Sequence, residues 1–231
     1  MKGLLTLGVF AAMLAAAGTV LAYPTFNGAT GLVALPNAAT VTAGSVVGAG
    51  DLVFTNDTMF VGRLQYGLDS NLEIGAMVST GTVEGVGVNA KYRFSATPGN
   101  FNWAVGGAYV PVNDNDNGLE LYLVGTRAFG GSTRGGSVLG TIGLHYINFN
   151  DDSALVPFLG AQLPLNAASE IAAEIQFNDG GLLHRTLGSV AFRHQFTPAL
   201  SGQIGITNAV GLTAAHDSNV FAGLKYNFAG H

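Results

Sequence analysis

The 231-residue chain contains no cysteine, so no disulfide framework supports it, and packing and backbone pairing must hold it together. Charge is sparse too. Only 10% of residues are Asp, Glu, Lys or Arg, against about 25% in an ordinary soluble domain. Nine basic residues face fourteen acidic ones, and the resulting net charge of −5 does not attract nucleic acid. Beyond residue 22 no apolar run approaches the roughly 20 residues that a membrane-spanning helix needs. The 34 glycines follow no collagen-like period. What is present is 48% hydrophobic content and a mean hydropathy of +0.36, cut into short pieces.

The N-terminus reads as an export signal. Met1-Lys2 is a short basic start, Gly3 to Ala17 is apolar, and Val20-Leu21-Ala22 supplies small residues where cleavage is defined, after Ala22. The competing reading is a retained helical anchor, since Leu4 to Ala22 is nearly long enough to span. No cysteine follows Ala22, which excludes a lipid-anchored N-terminus. The expected division is therefore 1–22 signal peptide, 23–43 a periplasmic lead-in that tucks into a barrel mouth, and 44–231 barrel.

High hydropathy without long runs is what strands with one lipid-facing side produce. The last segment, Phe221 to Phe228, alternates in this way. Ala222, Leu224, Tyr226 and Phe228 share one face, while Phe221, Gly223, Lys225 and Asn227 share the other. A chain closing on such an aromatic-ended strand resembles a bacterial outer-membrane β-barrel, in which Leu224, Tyr226 and Phe228 would form the insertion signal. Strand patterns recur over 44–54, 58–67, 70–79, 84–94, 101–110, 118–129, 137–148, 154–163, 169–177, 185–196, 199–207 and 218–228. The fold expected is all-β, a transmembrane antiparallel barrel of twelve strands, an even number as single-chain bacterial barrels have.

The connections divide by chemistry. With the N-terminus periplasmic, the external loops hold Asp57, Asp114, Asp116, Asp151, Asp152, Asp179 and Asp217, within segments such as Pro111–Asn117 and Asn208–Asp217. The periplasmic set includes the tight Leu68-Asp69 and Thr197-Pro198, along with Ser95–Asn100 and Gly130–Gly136, and carries only Asp69.

Parity sorts the charges. In Ser169 to Phe177, Ile171, Ala173, Ile175 and Phe177 oppose Glu170, Glu174 and Gln176; in 84–94, Asn89, Lys91 and Arg93 oppose Val86, Val88, Ala90, Tyr92 and Phe94. An Arg or Lys facing mid-bilayer lipid costs about 2–4 kcal/mol, so the charges belong inside. The expected lumen network is Asp51, Arg63, Glu73, Lys91, Arg93, Glu120, Glu170, Glu174, Arg185, Arg193 and Lys225, with Gln65 among them. Two interpretations stand: a paired network that fills the lumen, or a permeation path with a charged constriction. Arg127 shares parity with Leu119, Leu121 and Leu123 and points outward, where it can snorkel. Aromatics near strand ends, among them Phe54, Phe60, Tyr66, Phe94, Phe101, Tyr109, Phe129, Tyr146, Phe177 and Phe196, suit interfacial girdles.

No cofactor or metal is expected. Asp114-Asn-Asp-Asn-Gly118 has Gly125 where a calcium loop needs its twelfth-position Glu, so it is a solvated hairpin tip. Gly85-Val-Gly87 lacks the strand-to-helix setting of a phosphate loop and marks a packing position. A barrel lipid hydrolase would need Ser, His and an orienting acid or amide together. Of His145, His184, His194, His216 and His231, His194 points outward near the periplasmic rim with no Ser beside it in that pattern, while His145 is luminal. No enzymatic activity is expected.

Thr30-Gly-Leu-Val-Ala-Leu-Pro-Asn-Ala38 with Thr42-Ala-Gly44, Tyr66-Gly-Leu-Asp-Ser-Asn-Leu-Glu-Ile-Gly75, Lys91-Tyr-Arg-Phe94 and Pro157-Phe-Leu-Gly160 resemble the short motifs of barrels linked to exopolysaccharide and capsule secretion. The likeness touches most of the chain beyond residue 22, which would be a short version of that family. It implies an outer-membrane role in polysaccharide export or surface assembly. The function expected is a narrow channel, or a component of polysaccharide or small-solute transport. The alternatives are a sealed structural barrel presenting acidic loops and a soluble secreted β-sandwich. Expected partners are outer-membrane lipid, the barrel-assembly machinery during insertion, and polysaccharide or small solutes, with the chain a monomer.

Overall fold

The computed structural model describes residues 23–54, 58–81, 84–95, 100–113, 116–132, 136–149, 152–177, 186–210 and 213–228. Residues 1–22, which the sequence reading takes as a signal peptide, Arg185, His184, His231 and Asp57, Asp114, Asp151 and Asp179 lie outside them.

Two short strands, β1 (Tyr23–Pro24) and β2 (Thr30–Gly31), pair in a two-stranded sheet separate from the rest. Twelve more follow: β3 (Val46–Phe54), β4 (Met59–Gly67), β5 (Leu72–Thr80), β6 (Gly85–Ser95), β7 (Asn102–Asn113) and β8 (Asp116–Ser132). After these come β9 (Gly136–Phe149), β10 (Asp152–Pro164), β11 (Ser169–Gln176), β12 (Leu187–Gln195), β13 (Leu200–Val210) and β14 (Thr213–Phe228). All twelve join neighbour to neighbour in a closed antiparallel barrel. The seam is β14 on β3, in register from Val220 opposite Phe54 to Phe228 opposite Val46. Closure leaves no strand edge unpaired, which is what a sheet in hydrocarbon requires.

Three tight turns share one device. The Asp69 carboxylate accepts from the Asn71 and Leu72 amides at 2.6 and 2.8 Å, Asn166 Oδ1 accepts from the Ala168 amide at 2.9 Å, and Thr197 Oγ1 accepts from the Leu200 amide at 3.0 Å. A short polar side chain thus replaces the missing ladder partner at the bend. At the opposite end the hairpins run further than the alternation suggests. Most of Asn208–Asp217 is strand, with Val210 opposite Thr213, and most of Pro111–Asn117 is strand, with Asn113 opposite Asp116. Asp116, Asp152, His216 and Asp217 accordingly sit on strand backbone rather than in loops. Beyond the lipid belt a strand needs only backbone pairing, so the apolar alternation that marks it in the sequence stops before the strand does.

The pleat separates two environments. Leu52, Leu64, Val88, Leu121, Ile204 and Leu224 are exposed on the outer face, whereas Asp51, Arg63, Gln65, Glu73, Lys91 and Arg193 are buried on the inner one. Leu224, Tyr226 and Phe228 all face out, the last two with rings in edge contact at 4.9 Å. The aromatics Phe54, Phe60, Phe94, Tyr109, Phe129 and Phe196 are also exposed near strand ends.

The candidate functional site in the lumen

The lead-in does more than enter the mouth. Every residue from Tyr23 to Ala38 is buried, and the segment lies inside the barrel. It bends at Gly28, where φ is +101° and an added side chain would strike Asn89. Gly44, with φ +74°, turns the chain out of the lumen and into β3. There the Gly44 amide donates to the Gly67 carbonyl at 2.8 Å.

Residues 23–43 contain no charged side chain, so the wall's ions are met by the segment's backbone and hydroxyls. The Glu73 carboxylate takes the Thr30 amide at 2.9 Å, the Val41 amide at 2.8 Å and the Thr30 hydroxyl. Lys91 Nζ lies 3.0 Å from Glu73 and donates to the Thr30 carbonyl at 2.7 Å, the Thr30 hydroxyl at 2.6 Å and the Asn37 carbonyl at 3.2 Å. A buried ion pair repays its desolvation only when its remaining donors and acceptors are filled, as they are here.

A second cluster holds Tyr23. Arg193 lies over its ring at 4.6 Å and Lys225 Nζ at 5.4 Å, a cation on an aromatic face in each case. Arg193 also meets Glu170 at 3.2 Å and the Gly31 carbonyl at 3.4 Å. Arg63 pairs with Asp51, donates to the Thr25 carbonyl at 3.1 Å and lies 5.7 Å from the Phe26 ring. On the far wall Glu120 accepts from the Asn27 side-chain amide at 2.5 Å and lies 3.4 Å from His145.

Glu174 is bound differently. Its Oε2 accepts the Val33 amide at 2.9 Å and the Leu35 amide at 3.1 Å, and its Oε1 accepts the Ala34 amide at 2.8 Å. Three consecutive backbone N–H groups wrap one carboxylate, the concave arrangement that favours anions. Among the described residues no cation forms an ion pair with it.

Toward the longer-hairpin end the inner wall turns apolar. Val53, Met59, Val61, Met77, Val110, Ile147, Val156, Leu187 and Phe221 form one cluster with Phe26, Val33 and Ala34 of the segment. Phe26 meets Phe221 edge-on at 5.1 Å. A second apolar cluster packs Ala29, Leu32, Leu35 and Ala38 against Ala104, Tyr122, Val124 and Phe158, so the segment is held by ions along its length and by two apolar contacts.

The structure puts Asp51, Arg63, Gln65, Glu73, Lys91, Glu120, Glu170, Glu174, Arg193 and Lys225 on the inner wall. Arg93 shares their parity but not their company. It sits at the rim, where its guanidinium reaches the Ser70 carbonyl and Asn71 Oδ1, because the last inward position of β6 lies level with the β4–β5 turn. Arg127 faces out, 5.5 Å from the Phe129 ring. Gln162, Thr126 and Gln203 also belong to the network. Gln162 takes the Asn37 side chain at 2.9 Å, Thr126 the Ala38 amide at 2.9 Å, and Gln203 donates to Asp51 at 2.8 Å. Strand parity alone would have found these three; the segment's Asn27 and Thr30 carry no such signal.

The structure sets a serine beside His194 that the sequence reading did not name. The register of β11 on β12 sets Ser169 opposite His194, and Ser169 Oγ lies 2.9 Å from Nδ1. Among the described residues no carboxylate forms an ion pair with this histidine, so the pair lacks the orienting acid that activates a serine.

A closed barrel with an apolar exterior and an ionic interior defines a transmembrane β-barrel. Its likeness to solved structures is more specific. The chain is similar to the KdgM porin, with a TM-score of 0.63 at 11% identity, over 80% of this chain and 99% of that one. It is also similar to the NanC porin, with a TM-score of 0.55 at 12% identity over 80% and 99%. An outer membrane channel from Pseudomonas putida F1 gives 0.52 at 13% identity over 84% and 98%. At these identities the likeness is one of fold. No protein-family model matches the chain, and no curated protein sequence does.

Proposed function

We propose that this chain is an outer-membrane channel for small solutes or polysaccharide fragments, whose lumen is occupied at rest by its own residues 23–41. The observation that carries this is topological. The segment adds no strand to the closed barrel and leaves it through Gly44, so it can withdraw without breaking one ladder hydrogen bond of the wall. The wall it would uncover is ionic and rich in amides, the lining of a polar pore. The same fold serves KdgM, one structure of which is a complex with disordered oligogalacturonate. The motifs resembling exopolysaccharide- and capsule-linked barrels favour saccharide cargo. Residues 1–22 act as the export signal cleaved after Ala22, the barrel-assembly machinery inserts the chain, and it works as a monomer.

Single-channel recording in a planar bilayer tests this. The wild-type chain should show brief, infrequent current steps, and Glu73→Gln, which weakens the hold on Thr30 and Val41, should lengthen them. A second reading is a sealed structural barrel, favoured by the burial of Tyr23 to Ala38. Silence from both proteins, each shown to be folded, would select it.

A further inference from the structure

Glu174 differs from every other acid of the inner wall in what satisfies it. Asp51, Glu73, Glu120 and Glu170 each face a basic side chain of the wall, at Arg63, Lys91, His145 and Arg193 respectively, and keep it if the segment leaves. Glu174 has the three amides of Val33, Ala34 and Leu35, which leave with the segment, and from the wall, among the described residues, only the Ser189 hydroxyl of the neighbouring strand. A carboxylate left with one hydroxyl donor and no cation in a narrow lumen is poorly compensated for its desolvation. It therefore either recaptures the segment or takes up a solute offering the same donors.

The donor set specifies that solute. Three N–H groups converge on one carboxylate, two on Oε2 and one on Oε1; a primary ammonium can put one or two of its N–H groups on those oxygens and turn the remainder to the wall hydroxyls, with a full positive charge that the amides lack. The surroundings leave room once the segment moves. Across β10 and β12 the direct neighbours of Glu174 are Gly160 and Ser189, and Gly160 is where the Leu32 side chain now rests. The site so uncovered is small-walled, with one carboxylate and the hydroxyls of Ser189 and Thr207, which lie 2.8 Å apart.

We infer that Glu174 is a docking carboxylate for solutes bearing a primary ammonium, and that such a solute releases residues 23–41 by replacing the Val33–Leu35 amides. This rests on the channel function proposed above. The ligand acts by binding the released state better than the occupied one, which is the only way it can shift their balance.

The absence of cysteine supplies the test. Ala34→Cys in the full chain places a single thiol on the segment, and its rate of reaction with a water-soluble maleimide reports release independently of conduction. Glucosamine is the probe, and N-acetylglucosamine is the same ring with its ammonium blocked. Saturating glucosamine should raise the labelling rate at least about tenfold, the acetylated sugar should leave it unchanged, and adding Glu174→Gln should abolish the response. Glu174→Asp, which keeps the charge, should retain a weaker response, and it serves alone if the Gln variant fails to migrate as a folded barrel. Equal effects of the two sugars, no effect of either, or a response that survives Glu174→Gln would each overturn the proposal. If glucosamine exposes the introduced thiol while the same preparation never conducts, the docking site stands and the channel reading falls.

Discussion

The barrel wall closes through twelve ladders of backbone pairing, while residues 23–41 inside it are held mainly by side chains of the wall and two apolar clusters. The difference is what the proposed release of the segment would use. Ladder bonds within lipid have no competing partner, since no water reaches them. The bonds to Glu73, Lys91 and Glu174 lie in the lumen, where water or a polar solute can take them over. The lumen also keeps hydrogen-bonding capacity beyond what the segment uses: among the described residues the buried side chains of Gln65, Ser79 and Asn89 find no partner.

The sharpest way to break the contrast is to damage both regions at once. Glu73→Ala unpairs Lys91 within the wall and frees Thr30 and Val41 of the segment, and removing one member of a buried ion pair costs about 3–5 kcal/mol. Guanidinium titration should show the barrel midpoint falling and the segment released together. Damage to the wall alone comes next. Ile204→Arg on the lipid face, combined with Ala34→Cys, should cost about 2–4 kcal/mol in the same titration while leaving maleimide labelling of the segment thiol unchanged in the folded fraction. Damage to the segment alone is the converse. Gly28→Ala forces a side chain into a left-handed backbone and into Asn89, at about 1–3 kcal/mol, and should speed labelling of the same segment thiol while the barrel midpoint stays put. The smallest effect belongs to neither region's hold. Arg127→Ala removes an exposed cation from the Phe129 ring and should shift the midpoint by no more than about 1 kcal/mol.

The wall was legible in the sequence because lipid on one side forces alternation that the other side need not share. Ile171 and Ile175 against Glu170 and Glu174 declare a strand and its inner face with no further information. Leu224, Tyr226 and Phe228 do the same for the closing strand. The alternation fades where lipid ends, which is why the hairpin spanning Asn208–Asp217 reads as a loop and pairs as strand. Position along the strand is also silent. Arg93 has the parity of Lys91 and yet serves the rim, because height in the barrel depends on register. Register brought Ser169 to His194 as well, from residues 25 positions apart. The segment left the weakest trace. Tyr23 to Ala43 has no charge and no period, and its depth in the lumen is dictated by Glu73, Lys91 and Glu174, which lie far along the chain.

Native-state hydrogen exchange by mass spectrometry, resolved to the segment and the strands in lipid nanodiscs, tests the central claim most directly. Amides of a displaceable segment exchange through its release, and those of the wall only through opening of the barrel. The account predicts that residues 23–41 exchange together, as one unit, orders of magnitude faster than β3 and β14 and slower than an unprotected chain. Exchange of the segment as slow as that of the seam strands would contradict it, and would make residues 23–41 a permanent core of a sealed barrel.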